Sequence, residues 1–185
     1  KGLKQHQEFR QLRAEKMARG LGGAGVFGAL EKVKLVAKKG MITRTHFAQM
    51  LIQEGVCKDM RSVFKRFLTG KKPGGVGGKW AEYDEVIGWI HAAGGKAVLA
   101  HPLRYRITNT KVRRLLNHLS GAGLDGVEVV TGSSSSDEIT LVSQWAKEFN
   151  LLSSIGSDYH GWPNQRVRIG HLQDMPQVNE MVWKD

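Results

Sequence analysis

The stretch "GVEVVTGSSSSDEITLVSQWAKEFNLLSSIGSDYH" (residues 126–160) decides the architecture, because it reads as strand, loop, helix and strand in turn. "GVEVV" is a short, valine-rich apolar run of the kind that forms a buried strand. "GSSSS" reads as a loop leading into a helix. "SDEITLVSQWAKEFN" follows as that helix, with Ser136 or Asp137 expected at its cap. "LLSSIGSDYH" is a third strand that begins oily and ends polar. A helix between two short strands implies that the strands are parallel and covered by helices.

The same alternation extends upstream. "NTKVRRLLNHLSGAG" (residues 109–123) reads as a helix, "KAVLAHP" (residues 96–102) as a short strand, and "EVIGWIHAAGG" (residues 85–95) as a helix ended by glycine. Short, continuously apolar strands linked in this way fit an open doubly wound sheet or a barrel, although three strands are too few to close a barrel.

The first 70 residues look helical instead. "LKQHQEFRQLRAEKMARGL" spaces Leu3, Phe9, Leu12 and Met17 at near-helical intervals and is expected to stop at Gly20. "ALEKVKLVAKKG", "TRTHFAQMLIQEG" with Thr43 or Thr45 as cap and Gly55 as stop, and "DMRSVFKRFLTG" capped by Asp59 complete a set of small helices. "GKKPGGVGGKW" (residues 70–80) concentrates Gly and Pro. It predicts a boundary between a helical lobe, residues 1–75, and a βα part, residues 76–185, and its glycines suit close approach to a ligand.

Composition narrows the class. The net charge is +11, but residues 1–75 carry 17 Lys/Arg against 5 Asp/Glu, and residues 76–185 carry 11 against 12. A lobe so biased attracts phosphate-rich ligands, whereas a solvated face is the plain alternative. The single cysteine, Cys57, has no partner in the chain, which excludes a disulfide scaffold and predicts a reduced, cytoplasmic protein. The sequence has no apolar run of membrane-spanning length and no signal-peptide pattern at "KGLKQHQEFR", so neither a span nor export is expected. The chain begins with Lys1, as expected of a processed or truncated chain.

In βα architectures functional groups collect at the C-terminal ends of strands. "AVLA" ends on His101, and "LLSSIG" ends on Asp158 and His160. Imidazole and carboxylate donors suit divalent ions such as Zn, Mn and Fe, which polarise phosphoryl groups. A strand-end histidine can equally be a satisfied polar residue. Glu128 in the middle strand could reach the same mouth or satisfy a buried partner. His6, His91, His118 and His171 read as ordinary surface residues, and Cys57 as inert packing.

At "GGKAVLAHPLRY" (residues 94–105) and "SSIGSDYHG" (residues 153–161) the chain resembles the PHP (polymerase and histidinol phosphatase) superfamily of metal-dependent phosphoesterases. It is most similar there to the branch of RNase AM and the nucleoside 3′,5′-bisphosphate phosphatases, since "RAEKMARGL", "TRTHFAQMLIQEG", "SVFKRFLTGKKPG" and "EVIGWIHAAGGKAVLAHP" occur in that branch's order. The resemblance implies the C-terminal part of a distorted (β/α)7 barrel with a small basic helical insertion lobe that caps the site and helps bind substrate phosphate. It implies up to three divalent ions, most often Mn, with His101, Asp158 and His160 as ligands and catalytic residues. The family's opening HxH segment, its DH segment and a glutamate ligand have no counterpart in these 185 residues, so an N-terminal segment is expected to complete the metal site. Leu103 stands where the family usually has glycine, and "GGVGGKW" lacks the usual tyrosine and proline.

The expected activity is hydrolysis of phosphoester bonds in nucleotides or at RNA 5′ ends. Arg44, His46 and Arg104 are candidates for gripping substrate phosphate, and Tyr105 for stacking on a base or packing. Two alternatives stand beside this reading: a catalytically inactive phosphate- or RNA-binding fragment, and a histidinol-phosphate-type phosphatase of a small metabolite.

Overall fold

The helices of the first 80 residues and the three strands that follow gather into two units, Lys1–Trp80 and Ala81–Asp185. The computed structural model describes residues 2–78, 80–159, 167–177 and 180–184. No helix among them is long and apolar enough to cross a membrane.

The first unit is helical: α1 (Gly2–Gly23), α2 (Ala29–Ala37), α3 (Arg44–Gln53) and α4 (Met60–Val63), the last continued by a wider turn over Phe64–Leu68. Its core joins Met17 and Leu21 of α1, Val33 of α2, Phe47 and Leu51 of α3, and Val63 and Leu68. Two expectations for α1 are corrected. The buried face is Ala14, Met17, Ala18 and Leu21, whereas Leu3 and Leu12 are exposed, so the packed stripe lies further along the helix. The helix also runs through Gly20 to Gly23. Gly20 is needed for contact instead of termination, since a Cβ there would lie 1.8 Å from the Pro73 carbonyl oxygen.

Thr43 is the cap of α3, Asp59 caps α4, and Gly55 takes a positive φ after α3. The Gly/Pro stretch folds back onto the helices. Gly74 packs against Leu68 and Leu21, and a Cβ on Gly78 would strike the Phe9 ring. The close approach that its glycines permit is therefore to the unit's own helices.

The second unit alternates as expected: α5 (Tyr83–Ala92), β1 (Val98–Leu99), α6 (Asn109–Gly121), β2 (Gly126–Thr131), α7 (Ser136–Glu148) and β3 (Leu152–Gly156). The strands form one parallel sheet in the order β1-β2-β3. Every residue of β2 except Glu128 is buried, as a parallel strand covered on both faces requires. Val112, Leu116 and Leu119 of α6 and Ile139, Val142 and Trp145 of α7 share a core with Val127, Val129 and Val130. The cap of α7 is Ser135, one residue before the expected pair, and it forms a reciprocal box with Glu138. Across the free edge of β3, the Ser153 amide donates to the Glu180 carbonyl at 2.7 Å, and the Val182 amide donates to the Ser153 carbonyl at 3.0 Å.

Candidate active site

Parallel strands bring their C-terminal ends to one edge, and the chain leaves β1 and β3 there under strain. His101, two residues beyond β1, has φ 33°, and Asp158, two beyond β3, has φ 54°. A non-glycine residue in this left-handed region costs roughly 1–2 kcal/mol, and such strain gathers where function demands a particular geometry.

Glu128 ties the two ends together. Its Oε2 accepts the His101 backbone N–H at 2.7 Å, which holds the turn that aims the imidazole. Its Oε1 lies 2.5 Å from where a Cβ on Gly156 would stand, so only glycine lets this side chain lie against β3. Burial pushes the Glu128 carboxyl above its usual range; the hydrogen bond from His101 and the charge of His101 oppose this, and the charge of Asp158 adds to it. His101, Glu128 and Asp158 therefore act on one another at this edge. A one-residue bulge between Glu128 and Val130 sets the local register of β2 on β3.

The His101 ring meets Tyr105 edge-on, with centroids 5.8 Å apart, and the Tyr105 hydroxyl donates to the Ala100 carbonyl at 2.9 Å. Tyr105 thus packs on the imidazole and braces the turn; burial, and then Glu128, raise its pKa. Arg104 donates from Nη2 to Ser133 Oγ in the loop before α7. His101, Leu103, Arg104, Glu128 and Ser134 line a small cavity of about 10 Å³, room for about one water molecule.

The remaining candidates belong to the helical unit. His46 Nδ1 accepts the Thr43 N–H at 3.2 Å while Thr43 Oγ1 accepts the His46 N–H, so this imidazole closes the cap of α3. Arg44 donates from Nη2 to the Val76 carbonyl at 3.2 Å. His160 lies outside the described residues.

A divalent ion is tested best against His101, whose Nδ1 is buried without a hydrogen-bond partner. An orphaned imidazole nitrogen beside carboxylates is the donor chemistry that Zn, Mn or Fe takes. The residues fit as part of a ligand set. Among the described residues no group of three or more His, Cys, Asp or Glu is placed to hold an ion. Sequence reasoning named Glu128 without a role, because its partners, His101 and Gly156, are joined to it only by the sheet.

No family model matches the chain. Along its whole length it is 40% identical, over 186 residues, to a 3′,5′-nucleoside bisphosphate phosphatase of Chromobacterium violaceum, covering 65% of that protein. It is 37% identical over 182 residues to the 5′-3′ exoribonuclease Rnm of Escherichia coli, covering 98% of this chain and 62% of the relative. The chain is a homologue of these enzymes. It spans just under two thirds of each. A solved structure described as an amidohydrolase from C. violaceum, with bound sulfate and no metal, superposes with a TM-score of 0.85 at 40% identity, over 98% of this chain and 63% of that one. The mixed α/β fold with its small parallel sheet is therefore shared with that protein.

Proposed function

We propose that the protein is a metal-dependent phosphoesterase that hydrolyses phosphoester bonds of nucleotides or RNA 5′ ends, as a 5′-3′ exoribonuclease, a nucleoside 3′,5′-bisphosphate phosphatase, or both. The observation that carries this reading is the buried, unpartnered Nδ1 of His101 beside Glu128 at the sheet edge, in a chain 36–40% identical to enzymes named for those activities. On this reading the sheet is the C-terminal part of a distorted (β/α)7 barrel in the cytoplasm, and residues 1–75 are its basic cap lobe.

His101 and Asp158, with His160 as third donor, would hold a divalent ion, Mn in first place. Such an ion supplies Lewis-acid polarisation of a phosphoryl oxygen. The chain's own residues do the rest. Glu128 locks the His101 turn, Tyr105 braces the imidazole, and Arg104 stands beside it with a guanidinium suited to a phosphate. The test is Mn-dependent release of phosphate or mononucleotides by the intact gene product. Asp158→Asn is expected to lower the rate by at least about a hundredfold, the scale of a lost group in charge stabilisation. Equal rates for both proteins would refute the proposal.

A second reading draws on the lack of a three-donor group among the described residues: the 185 residues alone bind phosphate without turning it over. Hydrolysis by the 185-residue chain itself would remove it.

A further inference from the structure

The loop between β2 and α7 touches both strand ends that carry the candidate ligands. Ser133 Oγ accepts a hydrogen bond from Arg104 Nη2, on the turn after β1. Gly132 lies so close to the segment after β3 that a Cβ on it would stand 2.4 Å from the carbonyl oxygen of Ser157, the residue before Asp158. Ser134 folds the loop on itself, since its Oγ accepts the Thr131 N–H at 3.0 Å and meets Thr131 Oγ1 at 2.9 Å. These bonds fix the shape of the loop. Its place on the sheet needs a contact from outside.

Gln173 supplies that contact with both ends of one amide. Its Nε2 donates to the Ser134 carbonyl at 2.6 Å, and its Oε1 accepts the Ser136 hydroxyl at 3.1 Å. A carbonyl can only accept, so one orientation of the amide satisfies both partners. The chain around Gln173 is itself anchored. Leu172 and Met175 pack against the core of the second unit, and Val167 is buried, with Cγ1 2.8 Å from where a Cβ on Gly132 would stand. Gln173 thus ties a segment beyond β3 to the loop after β2, across 37 and 39 residues.

Two hydrogen bonds from an exposed side chain add little to the stability of a unit built on a valine-rich core. Their effect falls on the loop and on what the loop holds. Arg104 is exposed, and its bond to Ser133 narrows a side chain that otherwise has many rotamers. A guanidinium already held in place binds an anion with less ordering cost.

We propose that Gln173 is a positioning residue: by clamping the loop between β2 and α7 it fixes Ser133, and through Ser133 it presets the Arg104 guanidinium for a phosphate of the substrate. The use of Arg104 on phosphate rests on the phosphoesterase reading above. The clamp itself does not.

The experiment is a double-mutant cycle on the intact gene product, with adenosine 3′,5′-bisphosphate and Mn. Gln173→Met keeps the length of the side chain and removes both hydrogen bonds. It is expected to raise KM about three- to tenfold, the scale of one or two ordinary hydrogen bonds, with kcat within about twofold. In an Arg104→Ala background the same change should add less than about 1.5-fold, because the residue it serves is gone. A merely structural role would cost the same in both backgrounds. Gln173→Glu, which turns an acceptor toward the Ser134 carbonyl, should fall with Gln173→Met. Circular dichroism checks that each variant folds.

A second readout needs no turnover. In NMR spectra of arginine side chains in the same protein, the Arg104 Nε–H signal, identified by its loss in Arg104→Lys, is expected to shift in Gln173→Met and in Ser133→Ala. Equal penalties in the two backgrounds, or an Arg104 signal that Gln173→Met leaves in place, would overturn the proposal. If the gene product hydrolyses no phosphoester while the signal shifts, the phosphoesterase reading falls and the clamp on Arg104 stands. If it hydrolyses phosphoesters and the signal stays in place, the clamp falls and the phosphoesterase reading stands.

Discussion

Gly20 sits inside α1, where alanine would ordinarily stabilise a helix by about 1 kcal/mol. Here the sterics win. The added Cβ would lie 1.8 Å from a backbone oxygen, at Pro73, which has no rotamer by which to retreat. Gly20→Ala is therefore expected to destabilise the helical unit by about 2–3 kcal/mol, as overpacking does, and urea unfolding would show the midpoint fall instead of rise. At this scale the candidate site was half legible. His101 and Asp158 declare themselves as polar breaks after oily strands. Glu128 does not, because its use depends on Gly156 and His101 being carried beside it by the sheet. Arg10 and Arg13 look like any two cations on a solvated face until both are seen against the Trp80 ring.

Element boundaries follow side-chain caps. Ser135 Oγ accepts the Glu138 N–H at 3.2 Å and Glu138 Oε2 accepts the Ser135 N–H at 2.8 Å, so both halves of the box are satisfied. Ser135→Ala is expected to cost about 1 kcal/mol. Ser136→Ala should stay within about 0.5 kcal/mol, the range of ordinary surface changes. Thermal unfolding of the two variants side by side separates them. Four serines in a row offer four possible caps, and only the position of the following glutamate, three residues on, selects Ser135. The type of each element was plain from its apolar period. The wide turn at Phe64–Leu68 was not, since "SVFKRFL" reads as continuous α-helix and the turn widens where Phe67 and Leu68 are both drawn into the core.

Across the second unit, Asp125 joins three elements. Its Oδ2 accepts the Ala97 N–H before β1 and the His91 Nε2 at the end of α5 at 2.7 Å, while its own amide donates to the Ala97 carbonyl at 2.9 Å just before β2. Burial would raise its pKa, but the hydrogen bonds from His91 and Ala97 and the charges of His91 and Lys96 outweigh it and hold the carboxyl below its ordinary value. A carboxylate lowered in the folded state stabilises fully above its unfolded value, about 4, and loses that contribution as pH falls through the lowered one. The stability advantage of wild type over Asp125→Asn should therefore shrink as pH falls below about 4, where the carboxylate takes up its proton. Denaturant midpoints measured across that range check it; a difference independent of pH would contradict it.

What the sequence by itself determined is local: helices from a period near 3.6, strands from short valine-rich runs, parallel pairing from their alternation, and a basic half beside a neutral one. Those properties are written in spacing and composition. What only the tertiary structure decided is partnership. His101 meets Glu128 across 27 residues, Arg13 meets Val76 across 63, and Gly20 meets Pro73, because periodicity states which face of an element is buried and says nothing of which distant residue will cover it.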